Sequence, residues 1–426
     1  MRTTAGVAKR AAGTLALAAV LAAATQAAPI TWTGAADGNW NNPGNWDLGR
    51  VPAGGDAILL PAGGVNKTQN AMTLGSSSPD DQITLAIGEG GYTLNNAAAA
   101  LTFGNTLTSV GNNTINCRIN HQNRPSYTSD GGTLTFNGTH TTKGLTLYGD
   151  GDFLFNSGTV VGGSRALDFH GTGTARFQAA LGPFSQVFSQ SRAGGVRGYD
   201  AGTILLNGTQ SAGTLAYGIG GGGTLGGNGL AQVSYSASAV GSGIMGIGFQ
   251  PNAAHPSGNG TLSPGDPLVN GGFGTFTVTV GDRLVLGSNA DATTGTLAVQ
   301  IGEAGNSDRL VINGNLDLSS SRDVLSLSLA GGVTPSGEYS LFTFTGTRTG
   351  VFDTVLLNGS DITALAESGF EAGGTRLQLV YDGLANGHLR LMPIIPEPAS
   401  LTLAAVLAAA LLPRRWRRGG PSCRPV

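Results

Sequence analysis

Gly132-Thr133-Leu134-Thr135-Phe136-Asn137-Gly138-Thr139 and Gly202-Thr203-Ile204-Leu205-Leu206-Asn207-Gly208-Thr209 are two copies of one unit, with related fragments at 223, 295 and 309. In each, apolar residues alternate with Thr or another residue, the pattern of a strand with one face buried. An Asn-Gly corner closes the unit. Short strands repeated in this way cannot bury their apolar face alone, but stacked copies bury a continuous core. The reading is therefore an all-β chain built as a right-handed parallel β-helix. Tandem β-sandwiches are the rival, because Asn-Gly between alternating runs is also the strongest short hairpin signal.

Working outward, further strands are expected at 83–87, 92–94, 101–103, 144–148 and 152–155 before the second copy. A later series runs through 258–266, 274–278, 308–318, 324–329, 337–344, 350–352 and 377–381. No helical period appears between the termini. Glycine accounts for 71 of 426 residues and charged residues for 11%, against about 7% and about 25% in ordinary domains. That balance points to many turns and argues against solvated disorder. The run Gly220 to Gly229 lacks a following helix, so it reads as turns or slack and not as a phosphate cradle.

The N-terminus has the layout of a secretory signal. Arg2, Lys9 and Arg10 precede an apolar core from Leu15 to Ala24, and cleavage is expected after Ala27. Charge is partitioned along the chain. Setting aside those three residues and Arg414, Arg415, Arg417, Arg418 and Arg424 leaves 15 of the 23 basic residues against 25 acidic ones. So acidic a body is a poor nucleic-acid binder. Cys117 lies in the body and Cys423 beyond the arginines, so the body has to be stable without a disulfide.

Three of the four tryptophans fall close together, at Trp32, Trp40 and Trp46, among Asn, Gly and Pro turns. One reading is a cap over the open end of the stack. The other is a sugar-binding surface on which the indoles stack. The spacing W-T-G…N-W-x-x-x-x-N-W…P-x-x-x-D resembles the N-terminal segment of many exported bacterial β-repeat proteins.

At the other end stand Pro396-Glu397-Pro398-Ala399-Ser400, an uncharged run from Leu401 to Leu412, then Pro413-Arg414-Arg415-Trp416-Arg417-Arg418. The prolines dictate an extended stretch. The run is expected to form a short transmembrane helix, with the arginines as a cytoplasmic stop cluster. This order resembles the PEP-CTERM sorting signal. The resemblance implies handling by an exosortase-type membrane peptidase and delivery to the cell surface or extracellular matrix. Between the ends, Gly260-Thr261-Leu262-Ser263-Pro264-Gly265 followed by Asp308-Arg309-Leu310-Val311-Ile312-Asn313-Gly314 is similar to autotransporter-associated β-strand repeats, implying a β-helical surface rod.

Residues with chemistry are few. Asp150 and Asp152 flank a glycine and offer oxygens to Ca²⁺, but a calcium repeat needs the pattern several times and it occurs once. His121, His140, His170, His255 and His388 have no metal-ligand spacing. Neither Cys117 nor Ser263 sits in a nucleophile motif. No cofactor is implied. The expected organisation is a signal peptide (1–27), a Trp-rich β cap (28–80), β-helix repeats (81–250), a second β-repeat segment (251–392) and a sorting signal (393–426). The expected role is an exported structural or adhesin-like protein without catalysis, served by the export machinery and touching extracellular polysaccharide or neighbouring surface proteins. The alternatives are a polysaccharide lyase or hydrolase on the same fold and a carbohydrate-binding module.

Overall fold

The computed structural model of the chain describes residues 29–53, 55–70, 84–95, 106–121, 124–156, 167–182, 195–198, 202–210, 216–234, 243–248 and 258–394. The expected signal peptide with Ala27, the strand expected at 101–103, Pro396, Glu397, Pro398, the run expected to cross the membrane and Arg414, Arg415, Arg417 and Arg418 lie outside these residues.

Strands supply nearly all the regular structure. Sheets of 18, 13 and 2 strands form, with three short 3₁₀ turns and no α-helix among the described residues. Both copies of the repeated unit are strands, Thr133–Phe136 and Thr203–Leu206, and both lie in the 13-stranded sheet. The chain returns to this sheet again and again in the same direction. Leu134 pairs with Phe153, Phe153 with Ala175, Ala175 with Ile204, Ile204 with Leu225 and Leu225 with Leu262, all in parallel. Leu262, Leu297, Leu325 and Val355 extend the row. Every member is at most 2% exposed, so a single file of side chains runs up the inside of the sheet. Burying each large member stabilises the stack by about 1.5–3 kcal/mol. In the next inward file, Phe136, Phe155 and Phe177 stack nearly parallel, with centroids 4.8 and 4.6 Å apart.

The Asn-Gly corners do not make hairpins. Neither Gly138 nor Gly208 has the positive φ that a hairpin turn demands. Each is required because a neighbouring coil lies against it. A Cβ on Gly138 would stand 1.9 Å from the carbonyl oxygen of Cys117, and one on Gly208 2.2 Å from that of Ala179. The parallel ladders also exclude tandem sandwiches over these residues, since sandwiches are antiparallel. A second correction falls on the glycine-rich run at 220–229. Its middle, Thr224–Gly227, is a strand between Thr203–Leu206 and Gly260–Pro264, where small residues allow close approach of the adjacent chains.

Asparagines mark the spacing of the coils. Asn95 donates to Asn70, Asn116 to Asn95, Asn137 to Asn116 and Asn156 to Asn137, over 2.6–3.2 Å and sequence steps of 25, 21, 21 and 19 residues. After Gln178 takes one place, Asn207 resumes with a step of 29. Asn95, Asn116 and Asn137 each both give and receive, so these corner amides are satisfied from coil to coil.

These early coils have a third face. Ile119–Asn120 pairs in parallel with His140–Thr141, and bridges from Leu181 to Gln210 and from Thr209 to Leu230 carry the face onward. It then merges with the 18-stranded sheet. The twelve-residue strand Thr275–Leu286 receives Leu230–Val233 against its first half and Ile244–Ile247 against its second. The register shift between Thr279 and Arg283 marks the junction of the two halves. From there to residue 357 the coils have two long faces. The parallel order stops at one end: Tyr339–Phe344 pairs antiparallel with His388–Pro393, which pairs with Thr375–Asp382, while Thr354–Leu357 folds back on Ser360–Asp361.

Candidate functional site: polar groups within and around the stack

Trp32, Trp40 and Trp46 come together, but as core. They are 0%, 0% and 3% exposed. Trp46 meets the other two edge-on at 4.6 and 5.1 Å. The Trp46 indole nitrogen donates to the Trp40 carbonyl and that of Trp32 to the Val65 carbonyl, at 2.9 and 3.0 Å. No indole face is open to a sugar ring, which overturns the sugar-stacking reading of these residues. The loop between them is tied by Asn45, whose Oδ1 accepts from Ala36 and Asp37 backbone N–H groups.

Asp150 and Asp152 are engaged as turn acceptors. Asp150 Oδ1 receives the Gly131 N–H at 3.0 Å, and Asp152 Oδ1 receives the Thr174 N–H at 2.7 Å. Burial, then the charge of Asp150, raises the carboxyl of neighbouring Asp130. Among the described residues no three His, Cys, Asp or Glu side chains are grouped to hold a metal. Cys117 is buried and gives its thiol to the Leu94 carbonyl at 3.2 Å. Burial pushes that thiol up to about 12, the behaviour of an inert core cysteine.

Two histidines without local spacing do meet in space. His121 Nε2 and His140 Nε2 each lie 2.7 Å from the same hydroxyl, that of Tyr127. All three are at most 3% exposed. Tyr127 enters from the strand Ser126–Asp130, and the histidines from the third face. The rings of Phe136 and Phe155 close over His140 edge-on at 5.3 and 5.7 Å. Burial, then the proximity of His121, holds His140 well below the ordinary histidine range, and burial raises Tyr127 well above that of a phenol. The only sequence signal for this cluster is the coil step, which places His140 beside Ile119. Until the coil length is known, that signal cannot be read.

Other charged groups pair near the ladder. Arg176 binds Asp266 through Nε and Nη2 at 2.8 and 3.1 Å, and Asn207 donates to the same carboxylate at 2.7 Å. Burial raises Asp266, but Arg176, the Leu268 N–H and Asn207 together hold it below its usual value. Arg124 pairs with Asp168 on the flank of the 18-stranded sheet. Over the early strands the rest of that flank bears hydroxyls, with Thr106, Thr108, Ser126, Thr128 and the buried Thr146 in adjacent rows, whereas later strands of the same sheet carry Arg283 paired with Asp282 and Asp317. Tyr148 and His170 stack face to face there at 5.1 Å, so each ring covers a face of the other. The outer row of the 13-stranded sheet reads Thr174, Thr203, Thr224, Thr261, Thr296.

Near the antiparallel end, a cleft of about 320 Å³ is lined by apolar groups including Val351, Phe352 and Leu379, with Tyr381 and Glu367 supplying polar atoms. Tyr381 accepts the Phe352 N–H at 3.2 Å, and the Arg348 guanidinium lies 4.8 Å over its ring. Asp308 accepts N–H groups from Gly274 and Gln300, yet burial carries its carboxyl to about 6. Asp323 is wholly buried, accepts from the Asp353 N–H through one oxygen, and has no partner for the other among the described residues. Burial lifts it to about 7. No protein-family model matches the chain, and no curated protein matches it.

Proposed function

We propose that this chain is an exported structural protein of the cell surface or extracellular matrix, whose body is a right-handed parallel β-helical rod. The observation that carries the reading is the unbroken parallel register, with apolar files inside and rows of Thr and Ser outside. A stack of this kind extends by adding coils, and rows of hydroxyls form much of its outer surface, which suits a spacer or adhesive element. The indole cluster covers the first coil and the antiparallel strands the last, which limits end-to-end pairing of open edges. On this reading Ala27 marks the signal cleavage. Pro396, Glu397 and Pro398 present the sorting motif to an exosortase-type peptidase, while the run before Arg414, Arg415, Arg417 and Arg418 holds the chain in the membrane in transit. Extracellular polysaccharide and neighbouring surface proteins are the contacts it proposes.

The test is fractionation of cells with and without the exosortase-type peptidase, following wild type and Glu397→Ala. The reading expects release to the surface fraction only for wild type in the presence of the peptidase. Equal release in all conditions would defeat it.

A further inference from the structure

The Tyr127 hydroxyl has one proton to give, and two buried histidine nitrogens point at it. One ring must therefore donate to the oxygen while the other accepts from it. His140 Nδ1 has no hydrogen-bond partner among the described residues. If that nitrogen carried the hydrogen, a buried N–H would be left unpaired, which costs more than a bare lone pair. The lower-energy arrangement runs from His140 Nε2–H to Tyr127 Oη, and from the Tyr127 O–H to His121 Nε2. It is complete only while both rings are neutral. Suppose one proton is added. If His140 takes it, Nδ1–H is stranded. If His121 takes it, its Nε2–H donates to Tyr127 Oη and the tyrosine O–H must turn toward His140 Nε2; that nitrogen can accept only if His140 carries its own proton on Nδ1 instead, and Nδ1–H is stranded again.

We propose that the His121–Tyr127–His140 relay is an acid-sensitive latch for the coils it joins, locked when both histidines are neutral and opened by uptake of one proton. The groups that face His140 support a purely local device. From the segment after Ile119–Asn120 comes His121, and from Ser126–Asp130 comes Tyr127. From Thr133–Phe136 and Asp152–Phe155 come only the rings of Phe136 and Phe155. No carboxylate is among these neighbours to stabilise a cation. The strands that would loosen are those of the third face and its neighbours, Asn113–Ile115 and Thr133–Phe136, which the amides of Asn116 and Asn137 also tie together.

The test is hydrogen exchange of the full chain between pH 7 and pH 5, corrected for intrinsic rates. The proposal expects the opening constant of amides in 113–121 and 133–141 to rise below about pH 6.5 by up to about tenfold per pH unit, as one proton taken up requires. It also expects the rise to vanish in His140→Leu, which keeps an apolar filler but cannot take a proton. A flat opening constant in wild type, or an equal rise in the variant, overturns it. Should His140→Leu not fold, nitrogen NMR of the wild-type histidines decides. A neutral Nε2–H ring at His140 that resists protonation until the coil opens supports the latch. Ordinary titration of His140 near pH 6.5 in an intact coil refutes it.

Discussion

The coils before residue 234 and those after residue 260 solve the same packing problem with different cross-sections. The early coils turn through three faces with strands of two to five residues. The late ones turn through two faces and include the long strands Thr275–Leu286, Gly295–Ile301 and Arg309–Leu318, of seven to twelve residues. Short faces leave more corners per coil, and those corners are held by the asparagine ladder and by glycines pressed against the adjacent chain. Long faces need fewer corners, and their interior is mostly Leu, Val and Ile. The two parts also bury different titratable groups besides the Arg124-paired Asp168 of the early coils. The three-faced part holds neutral His140 in its core, whereas the two-faced part holds the carboxyls of Asp308 and Asp323.

The largest expected effect comes from cutting the aromatic stack of the early coils. Phe155 lies between Phe136 and Phe177, so Phe155→Ala should cost about 3–5 kcal/mol in a denaturant melt. Leu325→Ala, in the aliphatic file of the late coils, should cost about 2–5 kcal/mol. If the two parts unfold as one unit, both variants move a single transition. Two separated transitions, each sensitive to one variant, would split the molecule where the third face merges.

The pH response should differ in sign between the two parts. Asp323 has its folded value at about 7 against an ordinary 3.8. Between those values the folded state holds a proton that the unfolded state releases, so stability falls as pH rises, by up to about 1.4 kcal/mol per pH unit. His140 is depressed in the fold, so its contribution is present above about pH 6.5 and is lost as pH falls below it. Hydrogen exchange from pH 4.5 to 7 should show residues 295–329 becoming less protected as pH rises and residues 113–141 becoming more protected. Asp323→Asn should weaken the first trend, leaving the part due to Asp308, and leave the second unchanged. Parallel trends in both parts would erase the distinction.

Smaller effects test the corners and the walls. Asn137→Ala removes two ladder bonds and should cost about 1–2 kcal/mol. Asn313→Ala removes one exposed bond to Thr279 and should cost about half that or less. Thr203→Val, on the outer row, should stay within about 0.5 kcal/mol of wild type, measured by the same denaturant melts.

What was legible in the sequence follows from how local the signal is. Alternation in Thr133–Phe136, Asp152–Phe155 and Asp323–Leu329 announces strands, because a half-buried face needs only period two. The partner and direction of each strand are non-local. Asn137-Gly138 fits a hairpin and a coil corner equally well until the Cys117 carbonyl is seen against Gly138. The glycines at 226 and 227 hide a strand for the same reason. Burial of Trp32, Trp40 and Trp46 was equally hidden, since clustered indoles look alike as cap or platform. The His121–Tyr127–His140 relay lay beyond reach because it depends on the coil step, which varies from 19 to 29 residues. The proposed sorting motif at Pro396, Glu397 and Pro398 is the reverse case, an expectation from sequence that lies outside the described residues.

The central claim is that both parts belong to one parallel, in-register stack, and a pair of distances tests it most directly. Thr174 and Thr296 are four strand steps apart along one row, and Thr174 and Thr354 six. Spin labels on cysteines at these positions, with Cys423→Ser and the buried Cys117 left in place, report the separations by pulsed electron resonance. At about 4.8 Å per step the account predicts backbone separations of about 19 and 29 Å, so the second distance should exceed the first by about 10 Å. Two distances that are equal, or a second one shorter than the first, would contradict it.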